Sequence, residues 1–183
     1  MLTTETYTLD GAIAELDDRM DTLGEDLEGL EQGTDDYSAI KARRNRVSYL
    51  ENGVRWQRDE EGWGGDTEIE LGSMTAGEEA MMHREAPDDA GRKEMRLWFV
   101  AASTVSAPYA DPDDGLSETF SALSSAHPAF VEWLEAKANG LGVSTESGNG
   151  SSTSSTETTT GASETSTGDP DSTTTSSSDS PTE

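Results

Sequence analysis

Cysteine is absent from this chain of 183 residues, and basic residues are scarce. The lack of cysteine excludes disulfides, thiolate nucleophiles and zinc sites built on cysteine. Only 12 lysine and arginine residues oppose 38 aspartate and glutamate residues, which gives a formal net charge of −26. Because phosphate-rich polymers and anionic membranes attract dense positive charge, we expect neither a nucleic-acid nor a membrane partner.

Long apolar runs and a secretory leader are missing as well. The longest apolar stretch is Leu97 to Val100 followed by two alanines, which is far too short to cross a bilayer. The N-terminus carries acidic and polar residues where a signal peptide has a basic region followed by an apolar one. These features predict a soluble, intracellular protein.

Acidic residues are spread through the whole chain and are not collected in one tract. A uniform negative coat favours solubility at molar salt, where the Debye length falls to about 3 Å and self-repulsion is screened. The composition therefore predicts a salt-loving archaeal source. An acidic protein from an ordinary mesophile is the alternative.

The N-terminal part carries the sharpest periodicity. Apolar residues recur there at alternating steps of four and three, the pattern of a coiled-coil-like helix. Residues 32–35 have the composition of a helix stop and a new cap, and a second helix is predicted over 36–58. The short connection favours an antiparallel helical hairpin over residues 1–61, whose seam packs within the chain or between chains. The candidate oligomerisation residues are Leu9, Ile13, Leu16, Met20, Leu23, Leu27 and Leu30.

Charge also distinguishes the two predicted helices. Residues 10–31 hold nine acidic side chains and Arg19, whereas residues 36–58 hold six basic and two acidic ones. Opposite signs favour packing of the first helix on the second. A local nucleic-acid contact is the alternative for the basic run, which comprises Lys41, Arg43, Arg44 and Arg46.

A glycine-rich joint at 62–65 is predicted to separate the hairpin from a small domain over 66–141. This domain is expected to be mainly helical with one short β-strand or hairpin. Since this domain has fewer than 80 residues, its stability as an isolated domain is expected to be marginal. A partner or a homo-oligomer is therefore expected. The predicted elements are a strand over 66–71, a helix opened by a Thr75 capping box, a core helix from Asp88 or Asp89 to Ala107, a short helix capped by Ser117, and a last helix over 128–141.

The C-terminal part, residues 142–183, is predicted to be a disordered tail. Of residues 144–183, 25 are serine or threonine, seven are acidic and none is basic. Such a segment has too little apolar surface to offset the entropy lost on ordering.

The sequence offers little that indicates catalysis, so no catalytic residue, metal or cofactor is predicted. Glu79 and His83 share one helix face at a spacing that suits a metal, which keeps a metal-dependent hydrolase as a minor hypothesis. A solvated pair is the simpler interpretation. The acidic loop around Asp111 resembles a calcium loop, but Ala122 stands where a bidentate glutamate is needed.

The aromatic residues of the small domain are by default its core. A domain this small can nevertheless leave an apolar groove open, and such a groove can hold another helix. The candidate partner-binding residues are Met81, Trp98, Phe99, Phe120, Phe130, Trp133 and Leu134.

In the order and the residue composition of their predicted segments, residues 67–141 resemble the tail assembly chaperones of long-tailed, siphovirus-like viruses. The resemblance lies in the strand Glu68-Ile69-Glu70-Leu71, the helix start Met74-Thr75-Ala76-Gly77-Glu78-Glu79, the helix segment Leu97-Trp98-Phe99-Val100-Ala101-Ala102, an acidic Asp-Pro loop, and a last amphipathic pair ending in Leu134 to Leu141. With the acidic composition, it indicates a virus of a salt-loving archaeon.

The resemblance implies a non-enzymatic, ATP-independent chaperone in the host cytoplasm. It would cover the apolar helical tape-measure protein until tail-tube subunits assemble around it, and it would be absent from the mature virion. The predicted hairpin and the marginal core leave an alternative, which is a structural adaptor or scaffold incorporated in a virus particle.

Overall fold

The computed structural model describes residues 1–111 and 113–142, which contain six helices and one three-stranded antiparallel sheet. The predicted mainly helical class with a small β component is therefore confirmed. Apart from Gly142, the predicted tail lies outside the described residues. In chain order the elements are β1 (Thr4–Thr8), α1 (Leu9–Glu28), α2 (Asp35–Asp59), β2 (Glu68–Gly72), α3 (Ala76–Glu85), α4 (Arg92–Ser103), β3 (Thr104–Ser106), α5 (Leu116–Leu123) and α6 (Pro128–Gly142).

Helices α1 and α2 are joined by the turn that the sequence predicts. Gly33 has a φ of 92°, a left-handed conformation that favours glycine. Thr34 then caps α2, because its hydroxyl accepts the N–H of Tyr37 at 3.2 Å. Helix α1 ends at Glu28, so Leu30 lies beyond the helix. Ion pairs join Asp10 to Arg58 and Asp17 to Arg55, which sets the start of α1 beside the end of α2.

The sheet is built around β2, which pairs antiparallel with β1 on one side and with β3 on the other. Strand β1 was not expected, because Tyr7 is its only large apolar residue and the alternation signal is weak. Strand β3 lies where the core helix was predicted to continue to Ala107. Helix α4 ends at Ser103, and the chain is already extended at Thr104, where β-branched residues favour pairing with β2.

One main core draws on both predicted domains. Leu9, Ile13 and Leu16 of α1 belong to the same buried cluster as Ile69 and Leu71 of β2. The described residues accordingly form a single compact unit. The glycine-rich segment at 62–65 does not separate two cores, because Trp63 packs on this cluster, with its ring centroid 5.6 Å from that of Phe130.

Helix α6 lies at the centre of this core and packs directly on α2. A Cβ added to Gly53 would lie 2.4 Å from the backbone nitrogen of Phe130, so only glycine permits this approach of the two helices. A second, smaller cluster joins α3 to α4 through the buried side chains of Met82, Ala86 and Trp98. Phe120 of α5 stacks on Trp98 with the ring centroids 4.2 Å apart.

Candidate functional site

Four of the seven predicted partner-binding residues are in the core and are not available to a partner. Trp98, Phe130, Trp133 and Leu134 are all at most 6% exposed. The expectation that they form a contact surface is therefore wrong for this structure. For the three residues of α6, the physical reason is that α2 and β1 cover this helix: Gly53 of α2 meets the backbone at Phe130, and Tyr7 of β1 makes an edge-to-face contact with Trp133 at 5.8 Å. Trp98 of α4 is buried in the smaller cluster with Met82 and Ala86, and Phe120 stacks on it.

The other three predicted partner-binding residues are accessible to different degrees. Phe99 and Phe120 are half-buried and pack against both clusters. Met81 is 53% exposed, although it lies next to the buried Met82 on α3. Met81 is therefore the member of the set that presents a large apolar side chain to the surroundings.

The predicted oligomerisation seam divides into two parts. Leu9, Ile13 and Leu16 are buried in the main core of their own chain, so they are not free for a second chain. The remaining seam residues are half-buried along the far part of the α1 and α2 pair; they are Met20, Leu23, Leu27 and Leu30.

Met81 stands at the edge of a groove between α3, the end of α4, and α5. We call it the α3–α5 groove. It has a volume of about 200 Å³. Its lining combines apolar and acidic side chains with two threonines, and consists of Glu78, Met81, Ala101, Ala102, Thr104, Val105, Ala110, Asp111, Asp114, Leu116 and Thr119.

The acidic groups around the groove are held by hydrogen bonds. Glu78 completes the predicted capping box, because it accepts the N–H of Thr75 at 2.7 Å and Thr75 accepts the N–H of Glu78. The other carboxylate oxygen of Glu78 accepts a hydrogen bond from the Met1 ammonium at 2.8 Å. The Met1 ammonium and the Thr75 N–H together lower the pKa of Glu78 to about 2. The acidic loop is closed locally, since Asp114 accepts the N–H of Asp111 at 2.9 Å.

No arrangement of a nucleophile and a base is found at this groove in the described residues. Thr104 shares a hydrogen bond of 3.1 Å with Tyr109, but burial raises the pKa of the Tyr109 phenol, which therefore stays protonated. His83 and Glu79 are both exposed on α3. His127 lies elsewhere, where its Nδ1 accepts the N–H of Ala129 at 3.2 Å at the start of α6.

A second concavity, of about 240 Å³, lies between α2, α4 and α6 and contains the main charged cluster. Arg96 of α4 donates to Glu132 of α6 at 2.6 Å, and Arg46 of α2 forms an ion pair with the same carboxylate. Burial by itself raises the pKa of Glu132, but the two arginine hydrogen bonds outweigh it and hold the pKa below its usual value. These contacts join α2, α4 and α6, so we assign the charged cluster a structural role.

Most of the groove lining is not recognisable from the sequence. Nothing local distinguishes Ala101, Val105 and Leu116 from core residues, because the sequence does not mark the open side of a helix. The one available signal was the excess of methionine around α3, because methionine is common on adaptable binding surfaces. Met74, Met81 and Met82 all lie within nine residues of one another.

None of the described helices combines the length and the apolar character needed to span a bilayer. Within residues 1–111 and 113–142, no three histidine, aspartate or glutamate side chains are grouped closely enough to hold a metal ion.

Comparison of this chain with protein-family models, with curated proteins and with solved structures found no match in any of the three sets.

Proposed function

We propose that this chain is a non-catalytic assembly chaperone that holds an apolar side chain of a helical client in the α3–α5 groove. The client we propose is the tape-measure protein of a long-tailed virus, with the tail-tube protein as a second contact. The observation that carries the proposal is the exposed Met81 beside the apolar side chains that line part of the α3–α5 groove.

The size of the groove favours a side chain over a small-molecule substrate. Sites for small molecules commonly enclose about 300–1,000 Å³, whereas this groove encloses about 200 Å³. A helix that docks through a few spaced anchors needs only such a recess for each anchor. Methionine suits the rim because its unbranched thioether adapts to different partners.

Helix α3 has fewer buried residues than α4 or α5, the two helices on which it packs. Its only buried residue is Met82, and it packs on α4 and α5 through the smaller cluster. Elements with few buried apolar contacts open at low free-energy cost. A displacement of α3 would break the ion pair between Met1 and Glu78 and the contacts of the smaller cluster, but it would widen the groove to the length of a helical client without disturbing the main core.

The wider assignment follows the sequence resemblance. We propose that α1 and α2 form an antiparallel hairpin added to the chaperone-like part. The net charge of −26 supports a source in a virus of a salt-loving archaeon. The protein would act in the host cytoplasm and be absent from the mature virion.

Co-expression with the tape-measure protein of the same genome tests the proposal. We expect the wild-type chain to keep the client soluble and to co-elute with it on a sizing column. Met81→Glu places a charge at the mouth of the groove and should abolish co-elution. Ala80→Glu adds the same charge at an exposed neighbouring position that does not line the groove, and should leave co-elution intact.

Three results would contradict the proposal. A client that aggregates equally with and without the wild-type chain would contradict the chaperone role, and equal binding of the client to Met81→Glu and to the wild type would contradict the α3–α5 groove as its site. Stoichiometric presence of the chain in purified virions, measured by mass spectrometry, would favour the structural adaptor.

A further inference from the structure

The second inference concerns the far part of α1 and α2, away from α6. No residue of α1 after Leu16 and no residue of α2 before Val47 is buried. Between these segments lies a groove of about 350 Å³, which we call the distal groove. It is lined by Asp26, Leu30, Asp36, Ala39, Ile40 and Arg43.

The distal groove continues the face of α2 that α6 covers. Residues Arg46 and Gly53 both contact α6, the first through Glu132 and the second through the backbone at Phe130. Counting back from Gly53 in heptad steps of three, four, three and four gives Leu50, Arg46, Arg43 and Ala39, so these residues share one side of the helix. Helix α6 therefore covers one half of a continuous stripe and leaves the other half open.

The α1 side shows the same division. Lys137 of α6 forms an ion pair with Glu15. Steps of four, three and four from Glu15 lead to Arg19, Thr22 and Asp26, which are all exposed. Helix α6 thus presents a cation to α1 and a carboxylate to α2, and its coverage ends before Asp26 and Arg43.

In the open half, beyond Asp17 of α1 and before Arg46 of α2, no charged side chain is in an ion pair with another described residue. Every ion pair between α1 and α2 lies in the covered half, at Asp10 with Arg58 and at Asp17 with Arg55. In the open half, α1 is acidic and α2 is basic, and neither Asp26 nor Arg43 is in an ion pair within residues 1–111 and 113–142. A partner that is complementary in charge to the distal groove therefore places a cation beside Asp26 and a carboxylate beside Arg43.

We propose that the distal groove is a self-association site in which α1 and α2 of a second copy complete a four-helix bundle. A second copy supplies both charges, because its basic α2 faces the acidic α1 of the first chain, and its acidic α1 faces the basic α2. The arrangement is isologous and closes as a dimer. The exposed Ala39 and Ala42 present small side chains, which permit close approach of the partner helices. This inference does not depend on the proposed client.

The first test is the mass of the full chain in solution by light scattering at about 1 M salt, where the Debye length of about 3 Å screens the net charge. We expect a dimer, with twice the chain mass of 19.5 kDa. Ala39→Glu should raise the dissociation constant roughly a hundredfold with the helical circular dichroism unchanged. Ala136→Glu, at an exposed position of α6, should leave the dimer intact. A wild-type monomer at all concentrations, or equal dimerisation of both variants, would overturn the proposal.

Charge exchange gives a test that does not depend on the stability of any one variant. Asp26→Lys and Arg43→Glu each place like charges across the proposed interface, so each should be monomeric alone. Mixed together they restore opposite charges at both contacts and should form a heterodimer. Variants that dimerise alone as well as the wild type, or that fail to associate when mixed while the wild type is a dimer, would show that these residues do not meet across an interface.

Discussion

At the scale of single residues, two helical glycines illustrate opposite uses of the missing side chain. Gly53 of α2 is buried where α6 begins, and a Cβ there would lie within 2.7 Å of three atoms of Ala129 and Phe130. Gly24 of α1 has nothing within 4 Å of the corresponding position. The first glycine permits a helix contact, whereas the second only weakens its helix.

We therefore predict opposite effects for the same substitution. Gly53→Ala should lower the free energy of unfolding by about 1–3 kcal/mol or more, because α6 must move away from α2. Gly24→Ala should raise it by about 0.5–1 kcal/mol, the usual gain in a helix interior. Urea unfolding followed by circular dichroism measures both. Equal effects of the two substitutions would contradict the packing of α2 on α6.

At the scale of elements, two contacts stabilise the start of helix α3, and only one of them can be predicted from the sequence. The capping box of Thr75 and Glu78 is visible in the sequence and is confirmed by the structure. The ion pair between Glu78 and the Met1 ammonium is not visible, because it depends on β1 pairing with β2. One carboxylate thus caps α3 and ties it to the first strand.

This double role predicts a pH dependence. The pKa of Glu78 is lowered from 4.5 to about 2, so its charge stabilises the fold above about pH 4.5, and this contribution is lost as the pH falls through about 2. Glu78→Gln should lower the melting temperature of the untagged chain at pH 7, and the difference from wild type should shrink towards pH 2. Glu79→Gln, at an exposed neighbouring position, is the control. A difference that is the same at every pH would contradict the assignment.

At the scale of the whole molecule, charge opposes folding at low salt. The net charge is −26, and the ion pairs of the described residues offset only part of the repulsion. Screening removes this self-repulsion more strongly than it weakens partly buried pairs such as Arg96 with Glu132.

We predict that salt stabilises the chain. The melting temperature at pH 7 should rise by roughly 5 °C or more between about 0.1 M and about 1 M potassium chloride. Near pH 4.1, the isoelectric point, the net charge is close to zero and the rise should be much smaller. Differential scanning calorimetry measures both series. A melting temperature that falls with salt at pH 7 would show that self-repulsion is not the dominant electrostatic effect.

Features that depend on near neighbours in the chain can be predicted from the amino-acid sequence. The heptad steps from Leu9 to Leu27, the turn at Gly33 and the capping box at Thr75 each specify local backbone geometry, and the structure contains all three. The mainly helical class follows from the same periodicity, since apolar residues at helical spacing need only one apolar surface to pack against.

Which side of each helix is covered depends on the packing of segments that are distant in the chain. Phe130 and Trp133 have the apolar character of a binding face, and they are buried because α2 and β1, which lie far away in the sequence, pack on them. Met81 has the same character and stays exposed, because no described element covers it. Burial depends on contacts between distant segments, and periodicity within one segment carries no information about which distant segment arrives.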